Sequence, residues 1–64
     1  MAMRNYFVYY NGAFIADFYT FKGASNYCKR RNMSGLVIYD RGGVPYNPAN
    51  GEEIEDVDEF LYGE

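Results

Sequence analysis

Apolar runs separated by turn residues predict a β-hairpin near the start of the chain. Residues 6–10 are all aromatic or β-branched, and Asn11-Gly12 separates them from a second apolar stretch, residues 13–19. An Asn-Gly pair between two such runs indicates a tight type I′ turn, because both central positions of that turn need positive φ. We therefore expect two antiparallel strands joined at Asn11-Gly12.

After Thr20 the spacing of apolar residues changes to that of a helix. Apolar residues now recur three and four positions apart, as on one helical face; these residues are Phe21, Ala24, Tyr27 and Cys28. Thr20 is a suitable N-cap for this helix. Asn32 and Ser34-Gly35 favour its end, since they readily adopt left-handed or turn conformations.

A short continuous apolar run, residues 36–39, predicts a third strand. A turn at residues 40–43 follows, and residues 44–46 are expected to return as a fourth strand. Pro45 has no N–H to donate to a ladder, so this strand should lie at an edge. The expected fold class is α+β, with an antiparallel three- to four-stranded sheet and one helix packed on one face (ββαββ).

The chain divides by composition into a core domain, residues 1–51, and an acidic C-terminal segment, residues 52–64. The segment holds seven of the nine acidic residues and no base. Ile54, Val57, Phe60 and Leu61 recur in it at helical spacing, which favours a short amphipathic helix. A disordered acidic tail is the alternative, because so short a helix is marginal alone.

The pattern over residues 6–46 resembles the small ββαββ domains of unknown function found in bacteria and their phages. The resemblance is carried by the hairpin of residues 6–18, the helix opening Thr20-Phe21-Lys22, and residues 35–43 with their terminal Gly42-Gly43. It implies the fold and supplies no catalytic residues, and the acidic extension after Gly51 departs from it. By its small size and many aromatic residues, the chain is also similar to phage early proteins that bind and redirect a host enzyme.

Composition favours a packed core in a reducing compartment. Hydrophobic residues make up 48% and aromatic residues 20% of the 64 residues, whereas disordered chains are poor in rings. The lone Cys28 cannot close an intramolecular disulfide and is expected to be a small core residue. No signal peptide or membrane span of ~20 apolar residues is evident, so we expect a cytoplasmic location, bacterial or host.

The sequence does not contain the residues that the common types of catalytic and metal site require. There is no histidine, the commonest general base and metal ligand. The single cysteine cannot build a zinc site, and Ser25 and Ser34 have no adjacent base. We therefore expect a protein that is not an enzyme, with no cofactor and no metal site.

Charge is distributed unevenly along the chain. Residues 1–51 carry six bases and two acids, a net of +4, while residues 52–64 carry a net of −7. The acidic segment could fold back over the basic residues, which are Lys29, Arg30, Arg31 and Arg41. Alternatively, it could bind a basic groove of a partner, such as a protein that handles nucleic acid.

The function we predict is non-catalytic binding of a host or cellular protein, as by a phage-encoded inhibitor or modulator of a nucleic-acid-handling protein. One helix covers only one face of a sheet, whereas both faces of the predicted hairpin are partly aromatic. The predicted anchors are Tyr6, Tyr9, Tyr10, Phe60, Leu61 and Tyr62. The predicted steering charges are Glu53, Glu55, Asp56, Asp58 and Glu59.

Two alternatives use the same sheet. Its aromatic face could stack the bases of a single-stranded nucleic acid beside Lys29, Arg30, Arg31 and Arg41. It could instead form a homodimer interface, which would add buried surface to a small core.

In strand two, strict alternation would place Phe14, Ala16 and Phe18 on one face and Ile15, Asp17 and Tyr19 on the other.

Overall fold

The computed structural model describes residues 4–63 and confirms the α+β fold class. Its elements are β1 (Tyr6–Tyr10), β2 (Ala13–Phe18), α1 (Phe21–Arg31), β3 (Leu36–Asp40), β4 (Pro45–Tyr46) and α2 (Val57–Tyr62). The four strands form one antiparallel sheet in the order β2-β1-β3-β4. Residues 1–3 and 64, which the predicted segments 1–51 and 52–64 include, lie outside the described residues.

The hairpin turn has the backbone that the Asn-Gly pair predicts. Asn11 has φ 49° and Gly12 has φ 87°, as a type I′ turn requires. Its position is held by the neighbouring loop, because the Asn11 N–H donates to the Gly35 carbonyl at 3.0 Å. The tip of the hairpin is therefore tied to the start of β3.

A β-bulge interrupts the pairing of β1 with β2. Val8 pairs with Ala16, but Tyr9 pairs with Phe14, so Ile15 is the extra residue. A bulge places successive side chains differently from regular alternation. Phe14 therefore lies with Tyr9 on one face of the sheet, while Ala16 lies with Val8 on the other.

Helix α1 covers one face of the sheet. The buried cluster between α1 and the sheet consists of Ala24 and Cys28 from the helix and Val8, Leu36 and Ile38 from the strands. The Thr20 hydroxyl accepts from the Gly23 N–H at 3.1 Å at the N-terminus of α1, and Asn32 ends it with φ 51°. Both caps satisfy backbone groups that the helix leaves unpaired.

The outer edge of β4 is covered by the chain itself. Tyr46 forms a bridge with Glu53, and the Ile54 N–H donates to the Pro45 carbonyl at 2.9 Å. Pro45 thus lies in β4, the terminal strand of the sheet order, as expected for a residue without an N–H. Glu52–Ile54 extend the sheet by one short bridge, which composition alone did not indicate.

Candidate partner-binding surfaces

The face of the sheet opposite α1 is lined with aromatic side chains. We call it the open face and define it by Phe7, Tyr9, Phe14, Val37 and Tyr39, which strand register places together. α1 contacts β1, β2 and β3 from the other side. Within residues 4–63, α2 makes no comparable contact with these strands.

Tyr9 is the centre of the open face. Its ring meets the Tyr39 ring edge-on at a centroid distance of 5.1 Å and the Phe14 ring at 5.8 Å. Such edge-to-face pairs are favourable beyond the area they bury, by ~0.5–1.5 kcal/mol each. Val37 is only 2% exposed although it lies on this face, which indicates that neighbouring rings cover it. The outermost ring is Phe14, which is 53% exposed.

A small charged group borders the open face at its β2 edge. The Arg4 guanidinium lies 4.3 Å from the centre of the Tyr19 ring and 3.5 Å from the Asp17 carboxylate. It also donates to the Asp17 carbonyl at 3.1 Å. Arg4 and Asp17 form the ion pair found within residues 4–63. Their charges therefore lie along the β2 edge of the open face.

The predicted anchors on β1 do not share one surface. Tyr9 is on the open face, but Tyr6 lies on the α1 side, where its ring meets Phe21 edge-on at 5.8 Å. Its half-buried ring packs against the core beneath α1, and not with Tyr9 on the open face. Tyr10 lies on the same side as Tyr6 by strand alternation, at the exposed end of β1.

Three rings of the open face were absent from the predicted anchors. Phe7 alternates with Val8 and could have been grouped with Tyr9 from the strand pattern. Tyr39 joins the face because β3 pairs with β1 and places it opposite Phe7. Phe14 joins it through the bulge, so strict alternation placed it on the wrong face.

The C-terminal segment is ordered as a short helix that follows an extended stretch. Ile54 is buried and lies ahead of α2 in the extended stretch, so it is outside the predicted helical repeat. The Asp56 carboxylate caps α2 by accepting from the Glu59 N–H at 3.2 Å. Of the two possibilities, an amphipathic helix or a disordered tail, residues 57–62 adopt the first.

The predicted steering charges are exposed and have no basic partner in the described part of the chain. They are Glu53, Glu55, Asp56, Asp58 and Glu59. No ion pair between residues 4 and 63 joins one of them to Lys29, Arg30, Arg31 or Arg41. The expected fold-back of acids onto these bases is therefore not observed. An acidic groove of about 300 Å³ runs past several of them and is lined by Asn47, Glu52, Glu53, Ile54, Glu55, Asp56, Glu59 and Phe60.

The predicted anchors of α2 border a second groove. Phe60 and Leu61 line a space of about 360 Å³ between α2 and the C-terminal end of α1. Cys28, Met33 and Leu36 form its opposite wall. Tyr62 is 65% exposed and does not line this groove, so the structure brings together only two of the three.

The basic residues of α1 lie away from the open face. Lys29, Arg30 and Arg31 are in the last turn of α1, on the covered side of the sheet. Arg31 donates to the Tyr27 hydroxyl at 2.9 Å and its guanidinium lies 5.0 Å from that ring's centre. Arg41 is in the turn after β3. The bases of α1 and the rings of the open face therefore lie on opposite sides of the sheet.

Cys28 is a buried member of the core and not an exposed thiol. It is 5% exposed, and burial raises the pKa of its thiol above the ordinary value. A raised pKa lowers the fraction of reactive thiolate. Within residues 4–63, no cluster of three acidic or cysteine side chains is arranged to hold a metal ion.

No helix within residues 4–63 is long and apolar enough to cross a bilayer.

Comparison of the chain with protein-family models, with curated proteins and with solved structures gave no match.

Proposed function

We propose that this protein is a non-catalytic binding module that attaches to another protein through the open face of its sheet. The observation that carries the proposal is the ring cluster around Tyr9, which no helix of the described chain covers and which ends in the half-exposed Phe14. Aromatic side chains are enriched among the residues that dominate interface energies. The rings are already held by their mutual contacts, so little side-chain freedom would be lost on binding.

The chemistry of the acidic segment favours a partner with a basic surface. Its carboxylates are exposed and have no ion-pair partner in residues 4–63. Exposed charges raise association rates and select partners more than they add affinity. A protein that handles nucleic acid has such a basic surface, because the same positive field attracts phosphates. Modulation of such a protein is the function that we propose.

Affinity capture with matched variants tests the open face. The bait is the tagged chain, incubated with bacterial lysate, beside Phe14→Ser on the open face and Tyr62→Ser on α2. Both replaced rings are largely exposed, so both variants should fold. We expect one protein to be recovered by the wild type and by Tyr62→Ser and to be lost with Phe14→Ser. Equal recovery by all three baits would refute the proposal.

Light scattering during size exclusion tests whether the open face is used by a second copy of the chain. A monomer at high concentration is expected if the face serves a different protein. A dimer that Phe14→Ser converts to a monomer would instead show that the face is a self-association surface. That outcome would replace the proposed function with a homodimer.

A further inference from the structure

The groove between α1 and α2 is an incompletely packed part of the molecule. Helix α2 has six residues and none of them is buried. A helix of this length is not stable by itself, and it is held by its Asp56 cap and by the buried Ile54 that precedes it. Its apolar residues Phe60 and Leu61 face a space of about 360 Å³ without filling it.

The walls of this groove combine apolar side chains with the polar side chains of Lys29, Asn32, Ser34 and Asn47. Cys28, Met33 and Leu36 line one side, and Phe60 and Leu61 line the other. Met33 is 40% and Phe60 38% exposed, so apolar surface on both walls remains in contact with water. Its volume lies within the ~300–1,000 Å³ range of ordinary binding pockets. A large apolar side chain placed here would contact both walls and complete their packing.

The charged side chains around the apolar groove indicate which charge a bound partner segment would carry. The acidic groove of Glu52, Glu55, Asp56 and Glu59 adjoins the apolar groove, and the two share Phe60 as a common wall. None of these carboxylates forms an ion pair within residues 4–63. Lys29, at the opposite wall, is the cation that lines the apolar groove. Positive charge on an occupant is therefore favoured at the α2 side.

We propose that the two grooves together bind a segment of a partner protein that carries one large apolar side chain flanked by lysine or arginine. The apolar side chain occupies the space between Met33 and Phe60, and the cations lie along the carboxylates that precede and begin α2. Apolar burial supplies most of the affinity, and the charges set the association rate and salt dependence. This surface is separate from the open face, but it uses the same exposed carboxylates of the acidic segment, and to that extent it rests on the proposed preference for a basic partner.

Selection from a displayed library of random peptides tests this docking site. The full chain is the bait, and affinities of synthesised winners are measured by fluorescence anisotropy. We expect winners with lysine or arginine beside one Leu, Ile, Met or Phe, and binding that weakens as salt is raised. Winners without basic residues, or no winners, would overturn the proposal.

Variants in matched pairs locate the binding. Met33→Ser and Phe60→Ser, on opposite walls, should each weaken peptide binding by about tenfold or more, while Tyr62→Ser, outside the groove, should not. Glu55→Gln should reduce the salt dependence more than Asp58→Asn, which neutralises a carboxylate that lines neither groove. Thermal unfolding of each variant shows whether its fold is intact.

Two further results would decide against the groove. Equal peptide affinity for the wild type, Met33→Ser and Phe60→Ser would place the binding elsewhere. Concentration-dependent self-association abolished by Met33→Ser would show that a second copy occupies it. Phe14→Ser, on the open face, should bind the peptides normally, so failure of this proposal and failure of the proposed function give different results.

Discussion

The Tyr46 hydroxyl donates a hydrogen bond of 3.0 Å to the Asp40 carboxylate, which ties β4 to the turn that follows β3. The other carboxylate oxygen accepts from the N–H groups of Gly42 at 2.8 Å and Val44 at 3.0 Å. The Val44 N–H is the largest cause of a lowered pKa of Asp40. The hydrogen bond to Asp40 is the largest cause of a raised pKa of Tyr46.

These two shifts predict a loss of stability at both ends of the pH range. Because the pKa of Asp40 is lower in the folded chain, its carboxylate stabilises the fold above the unfolded pKa of about 3.9. That contribution is lost as pH falls through the lower folded value. The pKa of Tyr46 is raised, so its neutral hydroxyl stabilises the fold below the unfolded pKa of about 10 and ceases to do so as pH rises through the folded value.

Urea unfolding of Asp40→Asn across acidic pH tests the Asp40 contribution. We expect lower stability than the wild type at neutral pH and a smaller difference as the pH falls through the folded pKa of Asp40. Glu55→Gln, at an exposed carboxylate, is the control. A difference between Asp40→Asn and the wild type that stays constant down to the lowest pH would contradict the prediction.

Two glycines with the same backbone conformation should respond differently to alanine. Gly12 has φ +87° with open space around it, whereas a Cβ at Gly35, φ +89°, would lie 2.5 Å from Asn11 Oδ1. Both substitutions carry the cost of a left-handed alanine, ~1–2 kcal/mol, and Gly35→Ala must also displace the Asn11 side chain. Chemical denaturation should show the larger loss for Gly35→Ala, and equal losses would exclude the steric contribution.

The core and the open face should differ in their contribution to stability. Ile38 is fully buried beneath α1, so Ile38→Ala should destabilise the fold by about 2–5 kcal/mol. Phe14→Ala removes a half-exposed ring that makes one edge-on contact and should cost less, because about half of that ring is already in contact with water. Comparable losses of unfolding free energy would mean that the open face is part of the core.

The Cys28 thiol should be protected in the folded chain. Its burial and raised pKa predict slow reaction with a thiol reagent such as dithionitrobenzoate under native conditions. Reaction should become fast in denaturant, because unfolding exposes the thiol and restores its ordinary pKa. Rapid stoichiometric labelling of the native protein would show that Cys28 is accessible.

Helix α2 should unfold separately from the sheet. Asp56→Ala removes the side chain that caps it, a loss of ~1 kcal/mol, and six residues retain little helix without it. Hydrogen exchange should accelerate in residues 57–62 while β1 and β3 keep their protection. Asp58→Ala is the control, because Asp58 is also an acidic residue of the first turn but does not accept the capping hydrogen bond. Faster exchange throughout the sheet would show that α2 is integral to the core.

The elements best predicted from sequence are those with local causes. The hairpin depends on the turn preference of Asn11-Gly12, and α1 depends on the Thr20 cap and the apolar spacing that follows it. Both are confirmed. The C-terminal segment left two possibilities open, because a six-residue helix depends on contacts outside itself. The cap from Asp56 and the burial of Ile54 decide between them.

The candidate surfaces were less predictable, because they depend on register. Tyr6 and Tyr9 are both aromatic strand residues, and only the position of α1 places Tyr6 in the packing and Tyr9 on the open face. The bulge at Ile15 moves Phe14 to that face, although regular alternation puts it with Ala16. The groove lined by Met33 and Phe60 brings together residues distant in sequence, and no local pattern indicates it.

The sequence by itself determined the order of elements from β1 to β4, the lack of histidine, and the separation of basic from acidic residues along the chain. These follow from composition, turn chemistry and periodicity, which act between near neighbours. Tertiary structure alone decided which rings are covered, which carboxylates lack a basic partner, and where two grooves meet. Those outcomes depend on strand pairing and on one helix covering one side of the sheet, which bring together residues that no local preference connects.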